Sequence, residues 1–289
     1  MHTNHINFFQ VLIGKKYVIL SRQNLVEYSH DETEDLSFFP SIALKAKTTE
    51  EVSQILKYCF EHNLKITPQG ARTGLSGGAL PIENSIALSM ERFNEIIKID
   101  EDNLQVIVEP GVIVQVLQET VESKGLFYPP DPASKGSCFI GGNLAENSGG
   151  PKAVKYGVTA DYVLNLEVVL ANGDVIWTGA NTLKNSTGYN LTQLMVGSEG
   201  TLGIITKAVL KLIPLPKLNN LLLVPFTSAQ KACESVSAIF KAGVTPSGVE
   251  FMERDALLWT AKFINDDSIV IGDTVQAHLL IEVDGNNKD

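Results

Sequence analysis

PQGARTGLSGGA, residues 68–79, places four glycines, an arginine, a threonine and a serine in one short stretch. Glycine lets a backbone come close to a partner, and closely spaced free amides favour phosphate. Which fold carries the loop depends on its spacing and on the element after it. A Walker loop needs a Gly-Lys-Ser/Thr ending, but the sole Lys-Thr pair, Lys47-Thr48, lies upstream. A Rossmann turn needs GxGxxG leading into a helix. Here Gly70 and Gly74 are four apart, and after Ala79 come Pro81 and then SIALSM, a strand-like run. The loop therefore reads as a strand-to-strand connection whose amides wrap a diphosphate with no helix behind it. Thr73 and Ser76 add hydroxyls. The role of Arg72 is open: it pairs with phosphate, holds a carboxylate, faces solvent, or only steadies the loop.

Upstream of the loop, TTEEVSQILKYCFEHN has capping-box spacing at Thr48 and Glu51 and an apolar face of Val52, Ile55, Leu56, Cys59 and Phe60. Asn63 closes that helix, and LKIT (64–67) is a short strand. Downstream come the strand LQVIVEPG and an amphipathic helix ended by Gly125. Asn172-Gly173 joins VLNLEVVL and DVIWTG as a two-residue hairpin. GIITKAVLKLI (203–213) is a further strand, and the PLP at 214–216 marks a boundary. Beyond it strands and helices alternate up to HLLIEVDG, which suggests a second sheet-and-helix domain broken off at Asp289.

With 289 residues, 44% hydrophobic and 19% charged, the chain has the make-up of a globular protein of one large or two medium domains. A net charge of −10 argues against nucleic acid as a partner. The three cysteines show no paired spacing and read as reduced thiols, and the five histidines form no ligand array, so no metal is expected. There is no signal-peptide pattern and no uncharged apolar run of about 18 residues. The expectation is a cytoplasmic protein without a transmembrane segment, or one peripheral to the inner face of a membrane.

Eighteen of the 23 glycines lie between Gly70 and Gly203, grouped at 70–78, 141–150 and 197–203. Three such loops in one region are hard to explain as ordinary turns, since each costs chain entropy. Together with PPDPAS (129–134), FIGGNLAENSGGPKAVKYG (139–157) and GSEGTLGIIT (197–206), the opening loop resembles the FAD-binding domain of the vanillyl-alcohol oxidase and p-cresol methylhydroxylase superfamily. Within it, the likeness is to the branch of the glycolate oxidase D-subunit, D-lactate dehydrogenase and D-2-hydroxyglutarate dehydrogenase. GVEFMER (248–254) and LLIEVDG (279–285) resemble the opening of that family's cap domain.

The resemblance implies an α+β fold: a two-subdomain PCMH-type FAD-binding domain over residues 1–215, then the beginning of an α+β cap, or substrate, domain over 216–289. FAD would lie extended between a small sheet and a larger one. Pro68, Gln69, Gly70, Ala71, Arg72, Thr73, Gly74, Leu75, Ser76, Gly77 and Gly78 would cradle its diphosphate. Pro130, Asp131 and Ser134 would approach the flavin. Ser137, Gly141, Gly142, Asn143, Asn147 and Gly149 would form a second wall, and Gly203, Ile204 and Ile205 would offer main-chain bonds to adenine. The first loop carries no histidine for a covalent flavin link, so FAD is expected to be non-covalent. The family more often shows Arg-Gly-x-Gly where this chain has Gln69-Gly70-Ala71-Arg72. The implied activity is oxidation of a D-2-hydroxy acid by hydride transfer to flavin N5. Electrons would pass to a quinone, an electron-transfer protein or an iron–sulfur subunit. The family's catalytic groups belong to the later cap domain, so no catalytic residue is assigned here. The alternative is a flavin-binding module or split subunit active only with a partner chain.

Overall fold

The structure is a computed structural model that describes residues 1–82, 84–265 and 271–287. By contacts the chain divides into two compact units. One comprises Met1–Tyr128, Ala133–Ser148 and Val158–Pro214; the other comprises Pro129–Pro132, Gly149–Gly157 and Leu215–Asp289.

The first unit opens with α1 (Thr3–Ile13), β1 (Val18–Ile19) and the short α2 (Arg22–Leu25). Next come β2 (Ile42–Lys45), α3 (Thr49–Glu61), β3 (Ile66–Gln69) and β4 (Ile86–Ser89). The four strands form a sheet in the order β1-β2-β4-β3, with β2, β4 and β3 parallel. IALK and IALS are buried nearly end to end, as the inner strands of a covered parallel sheet must be. Pro68, which has no N–H to give, sits in the edge strand β3, where a ladder tolerates it. The core over this sheet gathers Phe9, Ile42, Leu44, Val52, Ile55, Ile86 and Leu88. Helix α1 docks on α3 through Phe8 stacked on Tyr58, with ring centroids 3.8 Å apart. The same docking brings together histidines that are scattered in sequence: His5 bonds the Tyr58 hydroxyl at 2.9 Å and lies 5.4 Å from His62, ring to ring.

The second sheet of this unit uses β5 (Ile96–Asp100), β6 (Gln105–Val108), β8 (Val163–Val169), β9 (Val175–Trp177) and β10 (Ile204–Lys211), in the order β5-β6-β10-β8-β9. Between these lie α4 (Val114–Glu122), β7 (Leu126–Phe127), α5 (Ile140–Glu146), α6 (Ala153–Tyr156, part of the other unit) and α7 (Leu191–Met195), and β11 (Ile213–Pro214) pairs with β7. The two layers meet at Glu167 on β8. Its carboxylate accepts from Thr49 at the start of α3 (2.7 Å), from Thr206 (2.9 Å) and from Lys207 (2.9 Å).

The second unit contains β12 (Leu218–Phe226), α8 (Ala229–Lys241), β13 (Gly248–Glu253), α9 (Arg254–Ile264) and β14 (Ala277–Gly285). Its antiparallel sheet has the order β12-β14-β13, and α8 packs over Ala277, Leu279 and Ile281. Strand β14 ends at Gly285, the last residue of HLLIEVDG; Asp289, where the sequence breaks off, lies outside the described residues. Two segments from the middle of the chain belong to this unit. Lys152 pairs with Glu282 at 2.5 Å, Lys155 pairs with Asp284, and the Tyr156 hydroxyl donates to Asp284 at 2.8 Å. The Asp131 carboxylate accepts from the Lys152 amide at 3.2 Å.

Candidate functional site

Strand β3 delivers the chain into the loop of residues 70–79 at one end of its sheet, and Gln69 anchors the base of that loop. Its side chain is buried, and Nε2 donates to the carbonyls of Tyr28 (3.0 Å) and Ala79 (2.7 Å), tying both ends together. Arg72 is held at φ 61°, and its guanidinium turns toward Glu27 (3.0 Å) and lies over the Tyr28 ring at 5.0 Å. Of the roles open on the sequence, this geometry matches holding a carboxylate and steadying the loop from within the chain.

The loop forms one wall of a cleft of about 520 Å³ that lies wholly within the first unit. That is within the size range of small-molecule and cofactor sites. Pro68, Gln69, Gly70, Ala71, Arg72, Thr73, Gly74, Leu75, Ser76 and Gly78 line it, facing Ser134, Gly141, Gly142, Asn143, Gly203, Ile204 and Ile205. The three glycine-rich segments, far apart in sequence, thus come together on one cavity.

Six of the singled-out residues are not among its walls. Gly77 and Ser137 stand beside it in the same unit. Asn147, at φ 51°, ends α5 and accepts the Ala160 amide at 2.8 Å. Pro130, Asp131 and Gly149 belong to the second unit. Lining residues that the sequence did not single out include Asp31, Cys138, Glu146 and Glu199. Carboxylates in a cleft expected to hold phosphate carried no recognisable signal.

The donor inventory of this cleft is distinctive. Among the described residues, no backbone amide of residues 71–78 donates a hydrogen bond within the chain. Eight successive N–H groups, on residues that are half-buried or exposed, are left for solvent or a ligand. A methyl added at Gly74 or Gly142 would meet nothing within 4 Å, so both open onto free space. Asn143 is 3% exposed, and among the described residues its buried Nδ2 has no hydrogen-bond partner. Burial raises the pKa of the neighbouring Cys138 thiol, which keeps it protonated and unreactive at neutral pH.

The acidic part of the cleft gathers around Gly78. A methyl there would lie 3.0 Å from Glu146 Oε1 and 3.1 Å from Glu199 Oε2. Ser76 donates to both oxygens of Glu146 at 3.2 Å, so its hydroxyl proton is already engaged. Partial desolvation, then the Glu199 charge, with a smaller push from Asp31, raises the Glu146 pKa against the Ser76 bond. Asp31 itself is buried, with Oδ1 on the Thr33 amide and Oδ2 unpartnered.

Known proteins share this architecture and much of this sequence. Residues 40–179 match the FAD binding domain family and residues 215–289 the family of FAD linked oxidases, C-terminal domain. The chain is similar to glycolate oxidase subunit GlcD of Bacillus subtilis, 46% identical over 89% of this chain and 54% of that protein. It is 39% identical to D-lactate dehydrogenase of Anaerostipes hadrus, over 96% of this chain and 59% of the relative. With mitochondrial D-2-hydroxyglutarate dehydrogenase of Arabidopsis thaliana it shares 32% identity across its whole length and 52% of that protein. The chain therefore spans a little over half the length of these relatives. Among solved structures it resembles alkyldihydroxyacetonephosphate synthase, with a TM-score of 0.85 and 19% identity over 100% of this chain and 57% of that one. It also resembles p-cresol methylhydroxylase, with a TM-score of 0.81 and 24% identity over 99% and 61%. These two likenesses show the fold: α+β, of the PCMH type.

Proposed function

The chain belongs to the FAD-linked oxidase family, and on that premise we propose that it binds FAD non-covalently in the cleft of the first unit and serves the oxidation of a D-2-hydroxy acid. The observation that carries the cofactor reading is the run of eight unspent amides at residues 71–78, the donor set that a diphosphate requires. Gly74 and Gly142 leave the space that a close-lying cofactor needs, and the unpartnered Asn143 amide supplies a further donor. These residues fit the group.

When bound, FAD supplies an acceptor for the hydride leaving a 2-hydroxy acid. The protein's part here is to bind and orient. The loop amides fix the diphosphate, Gln69 holds the loop closed at its base, and Arg72 braces it against Glu27 and Tyr28. The walls support non-covalent binding: among the described residues they carry no histidine or tyrosine, and the thiol there, Cys138, is buried with its pKa raised by that burial. Glycolate, D-lactate and D-2-hydroxyglutarate are the substrates proposed, by analogy with the three relatives. The natural electron acceptor is proposed as a quinone, an electron-transfer protein or an iron–sulfur subunit.

The test has two stages. The purified chain should be yellow, and acid precipitation should release all of the flavin into the supernatant. A chain that stays colourless with added FAD sinks the cofactor reading; flavin retained in the pellet sinks the non-covalent one. The protein at its natural length should then bleach its flavin anaerobically with at least one of the three acids, and no bleaching with any of them overturns the substrate class.

A further inference from the structure

Diphosphate and sugar make opposite demands on a binding site. Ionised phosphate oxygens only accept hydrogen bonds, whereas a sugar hydroxyl both donates and accepts. A wall offering amides alone suits the first; a wall with acceptors and a donor side by side suits the second.

The Ser76–Gly78 end of the cleft is of the second kind. Glu146 and Glu199 converge on Gly78 from two different segments. Neither forms an ion pair among the described residues, where the one arginine of the cleft is committed to Glu27. Among the described residues, no group of side chains there has the arrangement to hold a metal ion. Asn143 lies one helical turn before Glu146 on α5, so both project from the same side of the helix. Its Nδ2 is a buried donor without an acceptor among the described residues. Glu199 is held at φ 51°, a left-handed conformation that disfavours glutamate and persists where surrounding structure imposes it. A diphosphate beside these carboxylates would meet like charge.

We propose that Glu146 and Glu199 are an acceptor subsite for sugar hydroxyls of the bound dinucleotide, with Asn143 as a neighbouring donor, and that within the amide run of residues 71–78 the diphosphate takes the amides of residues 71–75, the end remote from Gly78. The proposal rests on the FAD reading and divides the cleft into a hydroxyl-binding end and a phosphate-binding end. The hydroxyls come from either the adenosine ribose or the ribityl chain of the flavin.

Calorimetric titration of the flavin-free chain with FAD, FMN and ADP tests it, using wild type, Glu146→Gln and Glu199→Gln. Each variant should bind FAD about tenfold more weakly, the scale set by losing a hydrogen bond to a charged acceptor. A parallel loss for ADP assigns the adenosine ribose; a loss for FMN with ADP unchanged assigns the ribityl chain. Variants that bind FAD as tightly as wild type, or more tightly, overturn the proposal, because removing like charge beside a diphosphate would strengthen binding. Wild-type protein that takes up no FAD fails the cofactor reading itself, a separate outcome. Both glutamates are exposed to the cleft, so folding of the variants is expected to be intact. Circular dichroism checks this.

Discussion

At Gly150 an added methyl would stand 2.3 Å from the Asp131 carbonyl oxygen and 2.5 Å from its carbon, so backbone must move to admit it. Gly150→Ala should therefore lower stability by about 1–3 kcal/mol in denaturant titration, the range for forced overpacking. The glycine pair 149–150 is plain in the sequence, but its partner at 131 is not. Glu167 makes a second case. Burial pushes its pKa up, and the bonds from Thr49, Lys207 and Thr206 more than offset that, leaving it below the ordinary glutamate value. A carboxylate with a depressed folded pKa stabilises above its unfolded pKa, and the gain is lost as pH falls through the folded one. Glu167→Gln should cost about 1–3 kcal/mol at neutral pH, with the difference from wild type shrinking toward zero in acid. A difference unchanged between neutral pH and strong acid would refute this. Nothing in VLNLEVVL marks this glutamate as the joint of two layers, because its partners come from α3 and β10.

Helix α3 was legible to its ends. Thr48 caps it by accepting the Glu51 amide at 3.1 Å, and Asn63 closes it at φ 52°. One detail differs from a regular capping box: Glu51 reaches back to the Lys47 amide (2.6 Å) rather than to that of Thr48. Thr48→Ala should cost about 1 kcal/mol of stability, read as a lower Tm. The hairpin at Asn172-Gly173 was plain, but its turn is not the two-residue one expected: the Gly173 amide donates to the Leu170 carbonyl (2.9 Å) across Ala171-Asn172, and Gly173 follows at φ 89°. Helix α1 escaped notice because His2 makes no capping bond, and its apolar face acquires meaning only against Tyr58 of α3. Strand β5 escaped because IIKID has no clean alternation, which matches its mixed exposure. The second unit leaves apolar side chains exposed, Leu221, Leu223, Trp259 and Phe263 among them.

On the scale of the whole chain, continuity in sequence and compactness in space part company. Residues 149–157, inside the glycine-rich region, are held by Glu282 and Asp284 of β14 in the second unit. A chain ended at Pro214 lacks those carboxylates, so trypsin should cut it rapidly after Lys152 and Lys155 while cutting the 289-residue chain there slowly. Equal rates would show that the ion pairs do not order the segment. The amino-acid sequence by itself determined most elements and the family. Caps, turn residues and glycine spacing act over a few positions, and they specify backbone conformation wherever the chain goes. Only the tertiary structure decided which glycine loops share one cleft, that Arg72 braces the loop, and that Glu146 and Glu199 meet at Gly78. Those are contacts between residues far apart in the chain; they depend on how sheets and helices stack, which no local pattern encodes.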